Sequence, residues 1–210
     1  MSIRPIVQLS SRGVPAPQLT DFEQVLLGLI CIGPSSGYDL KRAFSTTPLG
    51  VYQPSSGALY PALARLVSKG LIERQAPPGT AGPGRRRLVY EATPSGRTAN
   101  IAWLRLPVSP GTVARDLGLH LLRFVMMEAL LSREEVLGWL RDLTGALSSF
   151  VADVERYRSV LAGPSHAALA LDHGIAVHRA SLAWAQATSE MLATAAPGPT
   201  ALALLEAPTS

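Results

Sequence analysis

The strongest constraint on this chain is a change of apolar period at Gly70. Before it, apolar residues recur every three or four positions in three short segments. After it come two short runs that read as strands. In the first segment Phe22, Val25, Leu26, Leu29 and Ile30 fall at i, i+3, i+4, i+7 and i+8, one face of an amphipathic helix. Thr20 and Glu23 precede it at capping-box spacing, and Gly33-Pro34 closes it. A second helix is expected over 37–44 with Leu40, Ala43 and Phe44 inward, and the stretch 46–50 is the break after it. A third starts near Ser55 or Ser56 and ends at Gly70, with Leu59, Leu63, Leu66 and Val67 on one face. Gly70 can adopt the left-handed conformation that closes a helix. Pro61 removes one donor near the end of the first turn. Gly57, four residues earlier, relieves the crowding, so a slight distortion is expected rather than a break.

Residues 71–75 and 87–92 read as strands, joined by the Pro/Gly-rich stretch 77–84. Thr93-Pro94 then opens a fourth helix over 95–105, with Thr as cap and Pro pre-set for the first helical position. Three short helices followed by a two-stranded ribbon make a winged helix-turn-helix. In that arrangement the third helix enters the major groove and the ribbon reaches the adjacent backbone. Arg85, Arg86 and Arg87 fall where the loop meets the second strand, positioned to neutralise phosphates. Charge is uneven along the chain. Residues 1–110 carry 12 Lys and Arg against 5 Asp and Glu, and residues 111–210 carry 7 against 10. A basic half joined to a mildly acidic one suits a nucleic-acid module with a partner or sensor module.

The stretch 107–111, Pro-Val-Ser-Pro-Gly, is the boundary between those halves. Beyond it 113–131, 133–161 and 165–194 read as helices. Ser132 with Glu135 repeats the capping-box spacing, and Leu137, Leu140, Thr144, Leu147, Val151 and Val154 form a stripe. Gly163-Pro164 turns into the last helix. The expected fold is mainly α (α+β). It consists of a flexible arm over 1–19, a winged-helix domain with a two-stranded wing over 20–106, a helical dimerisation or effector domain over 112–194, and a tail over 195–210. In the arm, Arg4 and Arg12 could touch phosphate, but a disordered terminus is the reading preferred for them.

Several function classes find no support in the residues. No apolar run reaches the 18 or so residues of a membrane span. The first residues lack the apolar core of a secretion signal, so a cytoplasmic protein is expected. Cys31, alone and between apolar neighbours, reads as a small buried hydrophobe. The Gly-rich stretch 79–84 lacks the Gly-Lys-Ser/Thr ending of a phosphate loop. No nucleophile elbow, His-Glu-x-x-His or Cys-x-x-Cys occurs. His166, His173 and His178 are spaced by 7 and 5 rather than the helical 4, so no metal and no cofactor is expected. The readings left are a DNA-binding regulator, a winged helix used for protein contact only, and an enzyme without a recognisable motif.

Specific strings then point to one family. The blocks are 26–29 (LLGL), 33–40 (GPSSGYDL), 54–63 (PSSGALYPAL), Leu66, 70–72 (GLI) and 90–97 (YEATPSGR). In this order they resemble the PadR transcriptional regulators over about 20–105, and 54–63 is the most specific block. Trp103, the 107–110 linker, Arg123-Phe124 and the Arg179…Trp184 pattern resemble the virulence-activator-like C-terminal domain of longer PadR-like proteins, over about 110–194. The resemblance implies a regulator, most often a repressor, that binds a palindromic operator in promoter DNA as a homodimer. By position it carries Ser55, Ser56, Ala58, Leu59 and Tyr60 as the start of the reading helix. Tyr38 and Lys41 fall near phosphates, and Arg85 to Arg87 on the wing. Arg65 lies off the apolar face, where solvated charge and phosphate contact are both open. Tyr38, Tyr60 and Tyr90 can each be core or DNA-facing. Trp103, Phe124, Trp139 and Trp184 are candidates for a dimer interface or an effector pocket, with core packing as the plainer role. The reading helix offers few groups for base edges, so DNA shape is expected to contribute to specificity.

Overall fold

The computed structural model describes residues 19–46, 56–75 and 88–194. Its elements are α1 (Asp21–Ile32), β1 (Ser35–Ser36), α2 (Gly37–Thr46), α3 (Ser56–Ser68), β2 (Ile72–Gln75), β3 (Val89–Ala92), α4 (Pro94–Leu104), α5 (Pro110–Leu130), α6 (Arg133–Ser159) and α7 (His166–Thr194). Helices dominate, with one small antiparallel sheet in the order β1-β3-β2. The arm, the 76–87 connection with Arg85, Arg86 and Arg87, Ser55, and the tail lie outside the described residues.

The caps form as their spacing requires. Glu23 N donates to Thr20 Oγ1 at 3.2 Å and Thr20 N donates to Glu23 Oε2 at 3.0 Å, which satisfies two orphan donors of α1. Ser132 and Glu135 repeat the arrangement at α6. Thr93 caps α4 with Pro94 at its first position. Gly70 closes α3 at φ 67°. Pro61 sits inside α3 without ending it.

Four expectations are corrected. Helix α1 is buried on nearly all sides from Val25 to Cys31, because α3, α4, α5 and β3 all pack on it. The sheet has three strands rather than two. The additional strand, β1, is two residues long and too short to show a period, and Ser35 pairs with Tyr90 and Ser36 with Val89. The linker is shorter than 107–111, since Ser109 caps a helix that starts at Pro110, where no backbone donor is needed. That helix, α5, kinks at Asp116 (φ −153°, ψ 76°). There Asp116 Oδ1 accepts from Leu119 N at 2.8 Å and caps the second segment.

One apolar core runs from Leu26 and Ile30 through Leu63, Leu66 and Trp103 to Met126, Leu140 and Ala185. The linker therefore divides the sequence without dividing the core. Helix α6 lies between α5 and α7, so its buried seam is wider than a 3–4 stripe. Val136, Trp139, Leu143 and Ala146 join Leu140 and Leu147, while Leu137 and Thr144 are only half-buried. Helix α7 buries only Ala168, Ile175 and Ala185. Its opposite face, through Leu169, His173, Val177, Ala180, Ala187 and Met191, carries no charge, and Asp172, Arg179 and Glu190 lie along one edge of it.

Candidate nucleic-acid interface

Helix α3 is rooted by its apolar face. Leu59, Ala62, Leu63 and Leu66 are buried against α1 and the sheet. Leu59 is therefore corrected as a contact residue: its side chain is fully buried and belongs to the core. At 100° per residue the outward face is centred on Gly57, Pro61, Ala64 and Ser68, all small or compact and all exposed. Tyr60 borders it on one side, with Ala58 and Arg65 on the other. Ser56 opens the helix. Tyr60 is 54% exposed. Its ring covers the start of α2, where a Cβ at Gly37 would stand 2.9 Å from Tyr60 Cε1. The tyrosine is thus supported from below and open above.

The start of α2 is fixed by a reciprocal pair that the sequence reading missed. Ser36 Oγ accepts from Asp39 N at 3.2 Å, and Asp39 Oδ2 accepts from Ser36 N at 3.1 Å. The signal was present as a Ser-x-x-Asp spacing. Tyr38, Lys41 and Arg42 lie on the exposed side of α2. Of the three tyrosines only Tyr90 is core. In the hairpin, Arg74 pairs across from Tyr90, and Glu73 lies directly opposite Glu91. Like charges so placed destabilise a ladder modestly.

A further acidic residue belongs to this surface. Glu23 is buried, yet its Oε1 accepts from Arg65 Nε at 2.6 Å, and its Oε2 lies 3.6 Å from Lys69 Nζ. Burial raises its carboxyl, but the hydrogen bonds from Arg65 and Thr20 and the charges of Lys69 and Arg65 outweigh that, and it is held below its ordinary value.

The aromatic candidates come together at the junction of α4, α5, α6 and α7. Phe124 stacks on Trp139 at 6.0 Å and meets Trp184 edge-on at 5.3 Å. Arg123, almost fully buried, lies 5.8 Å from the Trp103 ring centroid and 5.9 Å from that of Trp139. It donates to Leu104 O at 2.8 Å and also to Leu106 O, so it holds the end of α4 onto α5. Burial lowers its pKa to about 10. Trp103 and Trp139 are core residues, whereas Phe124 and Trp184 are half-buried. Arg123 Nε and Trp139 Nε1 are buried donors without a hydrogen-bond partner among the described residues. No group of three or more metal-ligating side chains occurs among the described residues. His178 instead packs on Phe150 at 4.6 Å. No described helix is long and apolar enough to cross a membrane.

The crystal structure of Bacillus subtilis PadR in complex with operator DNA is similar to this chain at 23% identity, over 82% of this chain and 99% of that one, with a TM-score of 0.39. The crystal structure of the PadR-like transcriptional regulator BC1756 from Bacillus cereus is 23% identical over 85% and 99%, with a TM-score of 0.38. Bacillus subtilis PadR in complex with p-coumaric acid is 23% identical over 82% and 99%, also at 0.38. No curated protein matches the chain. Residues 26–100 match the model of the transcriptional regulator PadR-like family, and they include α2, α3, the hairpin strands and most of α1 and α4. The likeness to the transcriptional regulator PadR-like family therefore rests on residues 26–100, 75 of the chain's 210 residues.

Proposed function

We propose that the chain is a sequence-specific DNA-binding repressor that holds a palindromic operator as a homodimer, with α3 in the major groove and the 76–87 connection on the neighbouring backbone. The observation that carries this reading is the outward face of α3. Its centre is Gly57, Pro61, Ala64 and Ser68, so the helix backbone can approach a groove floor closely. Lys41 and Arg42 lie on the exposed side of α2, and the arginine triplet follows α3 in the sequence. Binding to selected promoter DNA is expected to weaken steeply with salt. Replacing Arg85, Arg86 and Arg87 together by Ala should flatten the log–log salt slope by up to about 3. A salt-independent affinity, or no binding to any DNA, would leave the winged helix as a protein-contact module.

The homodimer reading is supported by the charge-free outward face of α7, where Leu169, Val177 and Met191 are exposed although a solvated face would carry charge. Two half-sites about one helical turn apart, or a small multiple of it, follow from that symmetry. The division into a winged-helix unit over 20–106 and a virulence-activator-like dimerisation unit over 112–194 is part of the same proposal. An effector site at Trp103, Phe124, Trp139 and Trp184 is supported by the two unpartnered donors there. A screen of small aromatic acids for a melting-temperature rise that is lost in Trp184→Ala tests it.

A further inference from the structure

We infer that Glu23 is a positioning residue for DNA reading, which holds Arg65 in one orientation at the rim of α3 so that its guanidinium reads a base edge. This rests on the DNA-binding reading above. Glu23 is anchored before Arg65 is considered. It is the third residue of α1, it is buried, and its Oε2 already accepts from Thr20 N. The other oxygen takes Arg65 Nε. The anchor sits on one helix and the arginine on another, 42 residues apart in sequence.

Arg65 engages only Nε in this contact. Its two terminal Nη groups make no hydrogen bond among the described residues, and the side chain is 52% exposed. Because a guanidinium is rigid and planar, fixing Nε fixes the plane of the remaining fork. That fork matches O6 and N7 of a guanine, the commonest specific contact in the major groove. An unrestrained surface arginine would lose side-chain freedom on binding, whereas the buried carboxylate has removed that freedom beforehand. The rest of the face leaves little competition. Gly57, Ala58, Pro61, Ala64 and Ser68 are short, and among the described residues of α3 the other long polar group on it is Tyr60. An exposed ion pair would be weak evidence. This pair differs because one partner is buried and doubly held.

The test is selection of bound sequences from random DNA with the full-length wild type, Arg65→Lys and Glu23→Gln, alongside titrations on selected and random DNA. Arg65→Lys keeps the charge and loses the fork. It should lose base preference at one position per half-site while the rest of the motif stands. Glu23→Gln should lose preference at the same position, with the selected-to-random affinity ratio down about tenfold. Its random-DNA binding should be equal or tighter, since one negative charge is gone. If Glu23→Gln melts too low to assay, Glu23→Asp, which keeps the charge and retracts the carboxylate by one methylene, should lose the same base preference with random-DNA binding unchanged. A purely structural role would scale all positions alike, and that result overturns the inference. Loss of the preference in Arg65→Lys but not in the Glu23 variants overturns it too, because Arg65 would then read unaided. An unchanged motif in all variants overturns it outright. A wild type that binds no DNA sinks the underlying reading instead.

Discussion

Gly96→Ala is expected to destabilise the protein, although it puts the best helix former in place of glycine inside a helix. Gly96 lies in the first turn of α4. A Cβ there would stand 1.9 Å from the carbonyl oxygen of Leu71 and 2.9 Å from its carbonyl carbon. Carbon–oxygen contacts settle near ~3.3–3.6 Å, so α4 and Leu71 must part by about 1.5 Å. Neither Leu71 atom belongs to a side chain that can turn away. The same separation disrupts the cap, where Thr93 Oγ1 accepts from Gly96 N at 3.0 Å and donates to Gly70 O at 2.7 Å, and Thr93 N donates to Leu71 O at 3.1 Å. Overpacking costs ~1–3 kcal/mol, a lost cap ~1 and a lost backbone bond ~1, while helix propensity returns ~1. The net is a destabilisation of about 3 kcal/mol. With a urea slope near ~2 kcal/mol/M the midpoint should fall by about 1.5 M. Gly145→Ala is the internal control. Nothing lies within 4 Å of a Cβ there, so it should stabilise by ~0.5–1 kcal/mol. A Gly96→Ala protein that unfolds at or above the wild-type midpoint would refute the packing of α4 on Leu71.

Three further outcomes are expected. His120 is held below its ordinary 6.5 by burial and by the Arg123 charge, against the pull of Asp116. The unfolded chain then takes up a proton that the folded one resists. Stability is full above 6.5 and declines as pH falls from there toward the folded value, and His120→Gln should flatten that decline in melting temperatures taken between about pH 7.5 and 5.5. Gly37→Ala should displace the Tyr60 ring, a side chain with room to turn. Stability should change by less than ~1 kcal/mol while DNA affinity drops several-fold, and unchanged affinity would remove Tyr60 from the interface. Ala180→Glu puts a charge in the middle of the outward face of α7. Light scattering should then give a monomer at micromolar concentration, and a dimer as tight as the wild type's would move the interface elsewhere.

What the sequence made legible was local. The capping pairs Thr20–Glu23 and Ser132–Glu135 span three residues, as does the Thr93 cap, so their chemistry is written in adjacent letters. The three helices and the hairpin followed from period and from Gly and Pro positions for the same reason. Strand β1 escaped because two residues have no period, and the Asp116 kink escaped because α5 stays apolar on both sides of it. Burial along α3 was less legible than its caps and its period. Leu59 belongs to the specific 54–63 block, yet its burial depends on α1, which lies more than 25 residues away in sequence. The contacts that hold α4 onto α1 are longer still. Arg97 Nη1 donates to Cys31 O across 66 residues and Asn100 Nδ2 to Gln24 O across 76.

Glu23 makes the physical reason plain. One oxygen of its carboxylate takes the local bond to Thr20 N that a capping-box spacing predicts, and the other takes Arg65 Nε from a different helix. A local rule that is fully satisfied gives no hint that half of the group is still available. The residue looks explained, although a carboxylate has about four acceptor sites and a cap uses one or two. Such caps are therefore good places to look for a second partner once the fold is in hand. A buried acid within reach of exposed cations alters the charge that those cations present to a polyanion. On the proposed DNA-binding reading, that shifts the question of specificity from α3 alone to α1, the helix that supports it.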